Sequence, residues 1–176
     1  MGRGGTESRK SPSEFLIFVF HVVFAACVLG IAIDLVTANV AVEYFTVHHP
    51  RVVDSESPWV MAFIWGIGAS WWFGLIAALL LWWVNVRRAQ PLPRARIMRM
   101  VIRLMILIWV VMMLVLGGVY AFAGLIPAAQ RRLTFESDRR LVAVAMSHAT
   151  EYVLGGIATI ILMVRIATLK EAKEQA

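Results

Sequence analysis

Residues 59–86 read WVMAFIWGIGASWWFGLIAALLLWWVNV, with no Asp, Glu, Lys or Arg among them. A hydrocarbon core of about 30 Å, crossed at a rise of 1.5 Å per residue, needs about 20 apolar residues in a helix. Chain inside hydrocarbon must make all its backbone hydrogen bonds internally, so this stretch is read as a membrane-crossing helix. The two-residue alternation of a membrane β-strand is missing from it. Three further runs have the same character: 15–44, 97–126 and 141–168. The composition agrees, with 60% hydrophobic and 16% charged residues, where a soluble domain carries about 25% charged ones. The predicted fold class is all-α: a polytopic membrane protein with four transmembrane helices in a bundle, forming a single domain over residues 1–176.

The net charge of +6 raises the question of nucleic acid, and the placement of the charges answers it. Arg87, Arg88, Arg94, Arg96, Arg99 and Arg103 cluster at one connection between spans, and six more basic residues flank the first and last spans. The other two connections hold only Arg51, Arg131, Arg132, Arg139 and Arg140. Twelve against five is the bias that keeps basic segments in the cytoplasm. Both termini and the basic loop 87–96 are therefore predicted inside, and loops 45–58 and 127–140 outside. No nucleic-acid partner is expected. The expected partner is a bilayer with anionic lipids, whose head groups Arg87, Arg88, Arg96, Arg99 and Arg103 reach by snorkelling. One cysteine, Cys27, excludes an intrachain disulfide and any paired-cysteine metal or redox motif.

Within the second span Ala62, Gly66, Ser70, Gly74 and Ala78 recur every four residues. Small residues at that spacing let helix backbones approach closely in lipid. Trp82 and Trp83, next to Arg87 and Arg88, read as interfacial anchors; Trp71 and Trp72 fall mid-span and read as space fillers. The apolar runs also exceed the length needed to span. The excess forms an apolar collar on the outer side, to be covered by loop 45–58, by a second copy or by another protein. These features give the leading functional expectation: a non-enzymatic membrane subunit that self-assembles, or joins a larger membrane complex, through small-residue helix packing.

The polar residues give the alternatives. His148 and Glu151 stand three apart on one helix face. Residue counts from the inner boundary put Asp34 at their depth, near the outer interface, with Glu43, His48 and His49 close by in sequence. These six residues make a candidate metal or ion site, because imidazole and carboxylate suit a divalent transition metal. The competing readings are a structural ion pair and a proton or ion path, since ionisable residues within spans carry a functional expectation. A channel or transporter is thus the alternative function. No cofactor is required, and a divalent transition metal is the one such group the cluster admits. His21 has no second histidine at its depth, against a bis-histidine haem. No Ser/His/Asp order and no glycine-rich phosphate loop gives a positive case for an enzyme.

The run 48–74, HHPRVVDSESPWVMAFIWGIGASWWFG, resembles a segment of small four-span bacterial membrane proteins. The matching features are His49-Pro50, Ser57-Pro58, Trp65-Gly66 and Trp71-Trp72. The resemblance implies four spans and no known activity, and it carries over no site residue; the expected location is a bacterial inner membrane.

Overall fold

A computed structural model describes residues 11–122 and 139–169. The described chain is all helical, with five helices: α1 Pro12–Val40, α2 Glu43–Thr46, α3 Pro58–Val86, α4 Arg94–Phe122 and α5 Arg139–Thr168. Four of them are long and apolar enough to cross a membrane. At 29 or 30 residues each, they run to about 44 Å, beyond the ~30 Å of a hydrocarbon core.

The helix ends follow local chemistry rather than the apolar count. α1 begins at Pro12, before the expected residue 15, because Ser11 caps it: the Glu14 amide donates to the Ser11 hydroxyl at 3.3 Å. Pro12 occupies the first turn, where its missing N–H costs nothing. α3 starts at Pro58, after Ser57. α4 starts at Arg94, so the end of the expected loop 87–96 is helical; the Ile97 amide donates back to the Pro93 carbonyl at 3.3 Å. The expected run to 126 and most of the expected loop 127–140 fall outside the described residues.

The span expected over 15–44 needs a correction. α1 stops at Val40, Ala41 turns extended at φ −149°, and Glu43–Thr46 forms a separate short helix. The turn lets Phe45 fold down against Ala38, Met61 and Ala62. Full burial of a side chain of that size is worth about 1.5–3 kcal/mol. The connection 41–57 thus covers the ends of α1 and α3, one of the coverings anticipated for the apolar collar. For brevity this is called the upper end, and the 87–93 connection the lower end.

α1 is the hub: it packs along α3 and also touches α4, α5 and α2. α4 pairs with α5, whereas α3 and α4 do not approach each other closely. Contact between α1 and α3 depends on missing side chains. A Cβ on Gly66 would lie 2.6 Å from the Ile31 amide nitrogen, and one on Gly74 2.7 Å from the Ala26 Cβ. From the α1 side, a Cβ on Gly30 would lie 2.1 Å from the Ser70 Oγ. Ala62 and Ala78, the ends of the small-residue stripe, are fully buried. The stripe is therefore occupied by α1 of the same chain. Trp71 and Trp72 do not fill internal space, being 49% and 43% exposed on the outer surface of α3.

At the lower end Phe18, Val22, Leu81, Ile97, Leu162 and Ile166 form the main apolar cluster. Asn85, also buried, holds the connection there: it donates to the Leu92 carbonyl at 3.1 Å and accepts from the Leu92 amide at 2.8 Å. Burial of a primary amide is tolerable because both ends of it are bonded.

Candidate functional site

Asp34 lies in the last two turns of α1, facing inward at 3% exposure. Helical periodicity places Thr37 on the same face, and His148 of α5 meets both. The His148 Nε2 lies 3.2 Å from the Thr37 Oγ1 and 3.5 Å from the Asp34 Oδ1. Its other ring nitrogen, Nδ1, lies 3.6 Å from the Glu151 Oε2, one turn along α5. One imidazole is thus strung between two carboxylates that engage its opposite nitrogens.

The hydrogen-bond directions restrict the protonation of the trio. The Thr37 hydroxyl donates to the Ile33 carbonyl at 3.2 Å, which suits an Nε2–H of His148 donating to the hydroxyl oxygen. Nδ1 faces a carboxylate. A favourable contact there needs a proton on Nδ1, making an imidazolium, or one on Glu151. With both carboxyls ionised, even a fully protonated ring leaves one negative charge unmatched. An uncompensated charge in a dry interior costs several kcal/mol, so a proton or another cation is required to complete the site.

The covering connection builds the roof. Tyr44 stacks on the His148 ring, with centroids 5.0 Å apart and planes 8° from parallel. Phe45 meets the same ring edge-on at 5.6 Å. His49 sends its Nδ1–H to the Tyr44 carbonyl at 2.7 Å and packs on Trp65 at 4.8 Å. Burial, reinforced by the negative groups around it, pushes the Tyr44 phenol up to about 12, so its hydroxyl keeps its proton. Beneath the roof is a chamber lined by Asp34, His148, Glu151, Tyr152, Trp65 and Ser70 among others. Gly30 forms part of the floor.

The chamber shares Ala69, Ser70, Glu151 and Tyr152 with a second cavity below it, a cleft lined by α1, α3, α4 and α5. Its walls below that junction are apolar, among them Val22, Phe73, Leu81, Leu104, Ile108 and Leu162, with Thr159 the polar exception. The cleft therefore offers no chain of polar groups toward the lower end. Gly155 matters there, since a Cβ on it would press 2.9 Å from the Phe73 ring.

The six candidate metal residues divide into separate arrangements. Asp34, His148 and Glu151 come together, and His49 joins the same chamber with Nδ1 already bonded. Glu43 turns away to accept from Arg140 at 3.2 Å, and His48 is exposed. Among the described residues no three His, Cys, Asp or Glu side chains are grouped to hold a metal ion. The geometric reason is plain in the trio: carboxylates on opposite nitrogens of one ring do not converge on a common point.

The basic residues also divide. Arg87 lies over the Trp83 ring at 4.0 Å, a cation–π pair at the expected anchor. Arg99 and Arg103 are exposed and Arg96 is half-buried. Arg88 has a different role from the head-group contact anticipated. Its guanidinium donates to the Ile166 carbonyl, to the Ala167 carbonyl at 3.2 Å and to the Leu169 carbonyl at 2.6 Å. These are acceptors that a helix C-terminus leaves without partners, at the negative end of its dipole.

Sequence reasoning missed the chamber's aromatic roof and Gly30. A signal for Gly30 existed: it stands one turn before Asp34, and a small residue at that place permits close helix contact. For Phe45 and Trp65 no local signal existed, because the fold-back of the 41–57 connection brings them in. No family model, no curated protein and no solved structure matches the chain.

Proposed function

We propose that this protein is a non-enzymatic integral membrane protein of the transporter or solute-binding class, whose working centre is the upper chamber and the cleft beneath it. The observation that carries this reading is the adjacency of two unlike cavities: an ionisable chamber at Asp34, His148 and Glu151 shares the walls Ala69, Ser70, Glu151 and Tyr152 with an apolar cleft. Polar and apolar compartments in series suit a small amphiphile, its head in the chamber and its tail among the helices. The apolar walls of the cleft disfavour a hydrophilic pore through a single chain. In the proposed orientation both termini and the 87–93 connection face the cytoplasm of a bacterial inner membrane, and the chamber lies near the outer leaflet. Arg87, Arg99 and Arg103 then meet anionic head groups on the inner side.

Native mass spectrometry of gently extracted protein tests the reading. A co-purifying small amphiphile is expected on the wild type. Ala158→Phe, which fills the cleft without touching the carboxylates, should lose it. Wild type that never carries or takes up an amphiphile in the cleft would defeat the proposal.

Assembly with copies of itself or with other membrane subunits is the second reading. The small-residue stripe is already packed against α1, so it does not carry that reading. What favours it is α4, where among the described residues a Cβ on Gly117 or Gly118 would meet nothing within 4 Å, so that no described helix packs on this small-residue face. Gly118→Leu should then reduce the assembly to a smaller species in detergent.

A further inference from the structure

We infer that the chamber recognises a lipophilic organic cation, an alkylammonium head group carrying an apolar tail, and this inference rests on the chamber and cleft being the working centre. Three independent features of the site point to that chemistry. The first is charge. Asp34 and Glu151 share His148 as their charged partner, so with both carboxyls ionised the trio needs a proton or a cation to complete it. The nearby Arg140 and Arg51 are engaged with Glu43 and Asp54, and among the described residues neither Lys nor Arg lines the chamber or the cleft.

The second feature is the nature of the walls. Tyr44, Phe45, Trp65 and Tyr152 line the same chamber as the two carboxylates. Aromatic walls around a carboxylate are the surroundings in which substituted ammonium groups bind, through attraction of the cation to ring faces and burial of its alkyl groups. An inorganic divalent cation needs converging oxygen or nitrogen ligands instead, and the carboxylates engage opposite sides of one imidazole. The third feature is the exit for a tail. Below Ser70 and Tyr152 the cleft continues between α1, α3, α4 and α5 with apolar walls. Thr159 is the one polar side chain among the described walls there, so an alkyl chain can extend among the helices without crossing a polar layer.

The same features select against neighbouring chemistries. An uncharged amphiphile brings no cation to stand in for the proton that the trio otherwise needs. A zwitterionic phospholipid would bring a phosphate beside two carboxylates, with no Lys or Arg among the described lining residues to receive it.

Isothermal titration calorimetry on the full-length protein in an uncharged detergent tests the inference. The probes are decyltrimethylammonium, decylphosphocholine and decanol, each held below its micellar concentration. The ammonium probe should bind saturably at one site per chain. It should bind at least about tenfold more tightly than the other two, a difference of ~1.4 kcal/mol. Glu151→Gln and Asp34→Asn, both nearly isosteric, should each weaken the ammonium probe by about tenfold or more, with helicity and elution volume unchanged as the check on folding. Ala158→Phe should weaken all binding that uses the cleft. If the three probes bind alike and the carboxylate variants change nothing, the cation inference is overturned while the chamber and cleft stand as a binding site. Binding of no probe by folded wild type would overturn both.

Discussion

Gly66→Ala offers the most direct measure of how α1 and α3 are held. The added Cβ would meet the Ile31 nitrogen at 2.6 Å, the Ile31 Cα at 2.7 Å and the Gly30 carbonyl carbon at 2.9 Å. All three are backbone atoms of a continuous helix, so none can rotate away. Ordinary contact begins near 3.4 Å, so the two backbones must part locally by about 0.8 Å, the difference between 3.4 and 2.6. Opening a packed surface by 0.5–1 Å forfeits roughly a quarter to a half of the dispersion energy across it. Overpacking of this kind costs about 1–3 kcal/mol, and the rigidity of the obstacle puts the expected loss near the upper end of that range. Gly68 is the internal control. It lies two residues away on the same helix, and a Cβ there meets nothing within 4 Å. Gly68→Ala should be neutral or slightly stabilising, since Ala gains up to about 1 kcal/mol over Gly in a helix. The assay is unfolding of the purified protein in mixed micelles, followed by circular dichroism. Equal stabilities for Gly66→Ala and Gly68→Ala would refute close backbone contact as the reason for the small-residue stripe.

Four further outcomes are expected. His148→Leu should cost about 3 kcal/mol by stranding two carboxylates, and adding Asp34→Asn should recover part of it; strictly additive effects in that cycle would rule out coupling across α1 and α5. Arg88→Met should cost about 1–2 kcal/mol by removing a charged donor from the end of α5. Faster amide exchange should then be confined to the last turn of α5, and uniform exchange throughout would count against a capping role. Purified protein should hold no stoichiometric transition metal on elemental analysis, because the carboxylates of the trio do not converge; one bound metal per chain, lost in both His148→Ala and Glu151→Ala, would reverse this. In a Cys27→Ser background, Ser55→Cys should react with an impermeant thiol reagent from outside the cell and Gln90→Cys should not, the opposite pattern inverting the proposed orientation.

The legible part of the protein was the part governed by composition and period. Four long apolar runs were visible because a helix that can cross a membrane has to carry its apolar side chains contiguously, and a stripe such as Ala62, Gly66, Ser70, Gly74 and Ala78 shows on any helix of 3.6 residues per turn. The helix start at Ser57-Pro58 was legible for the same local reason. Depth alone brings His148 to a carboxylate of the first helix, Asp34 or Glu43, since antiparallel helices of similar length bring residues at equal depth to one level; the structure selects Asp34 and gives Glu43 to Arg140. Tertiary structure decided the rest. Nothing local distinguishes a stripe that packs on another chain from one that packs on α1; only the placement of Gly30 and Ile31 against Gly66 does so. Nor does the apolar run through Val40 announce that the helix ends there, because hydropathy does not register a backbone turn whose gain is the burial of Phe45 some residues later. Arg88 looked like its basic neighbours until the end of α5 came within its reach. The chamber itself depends on pieces from α1, α3, α5 and the 41–57 connection, so its charge imbalance and aromatic walls exist only once those four segments are packed together.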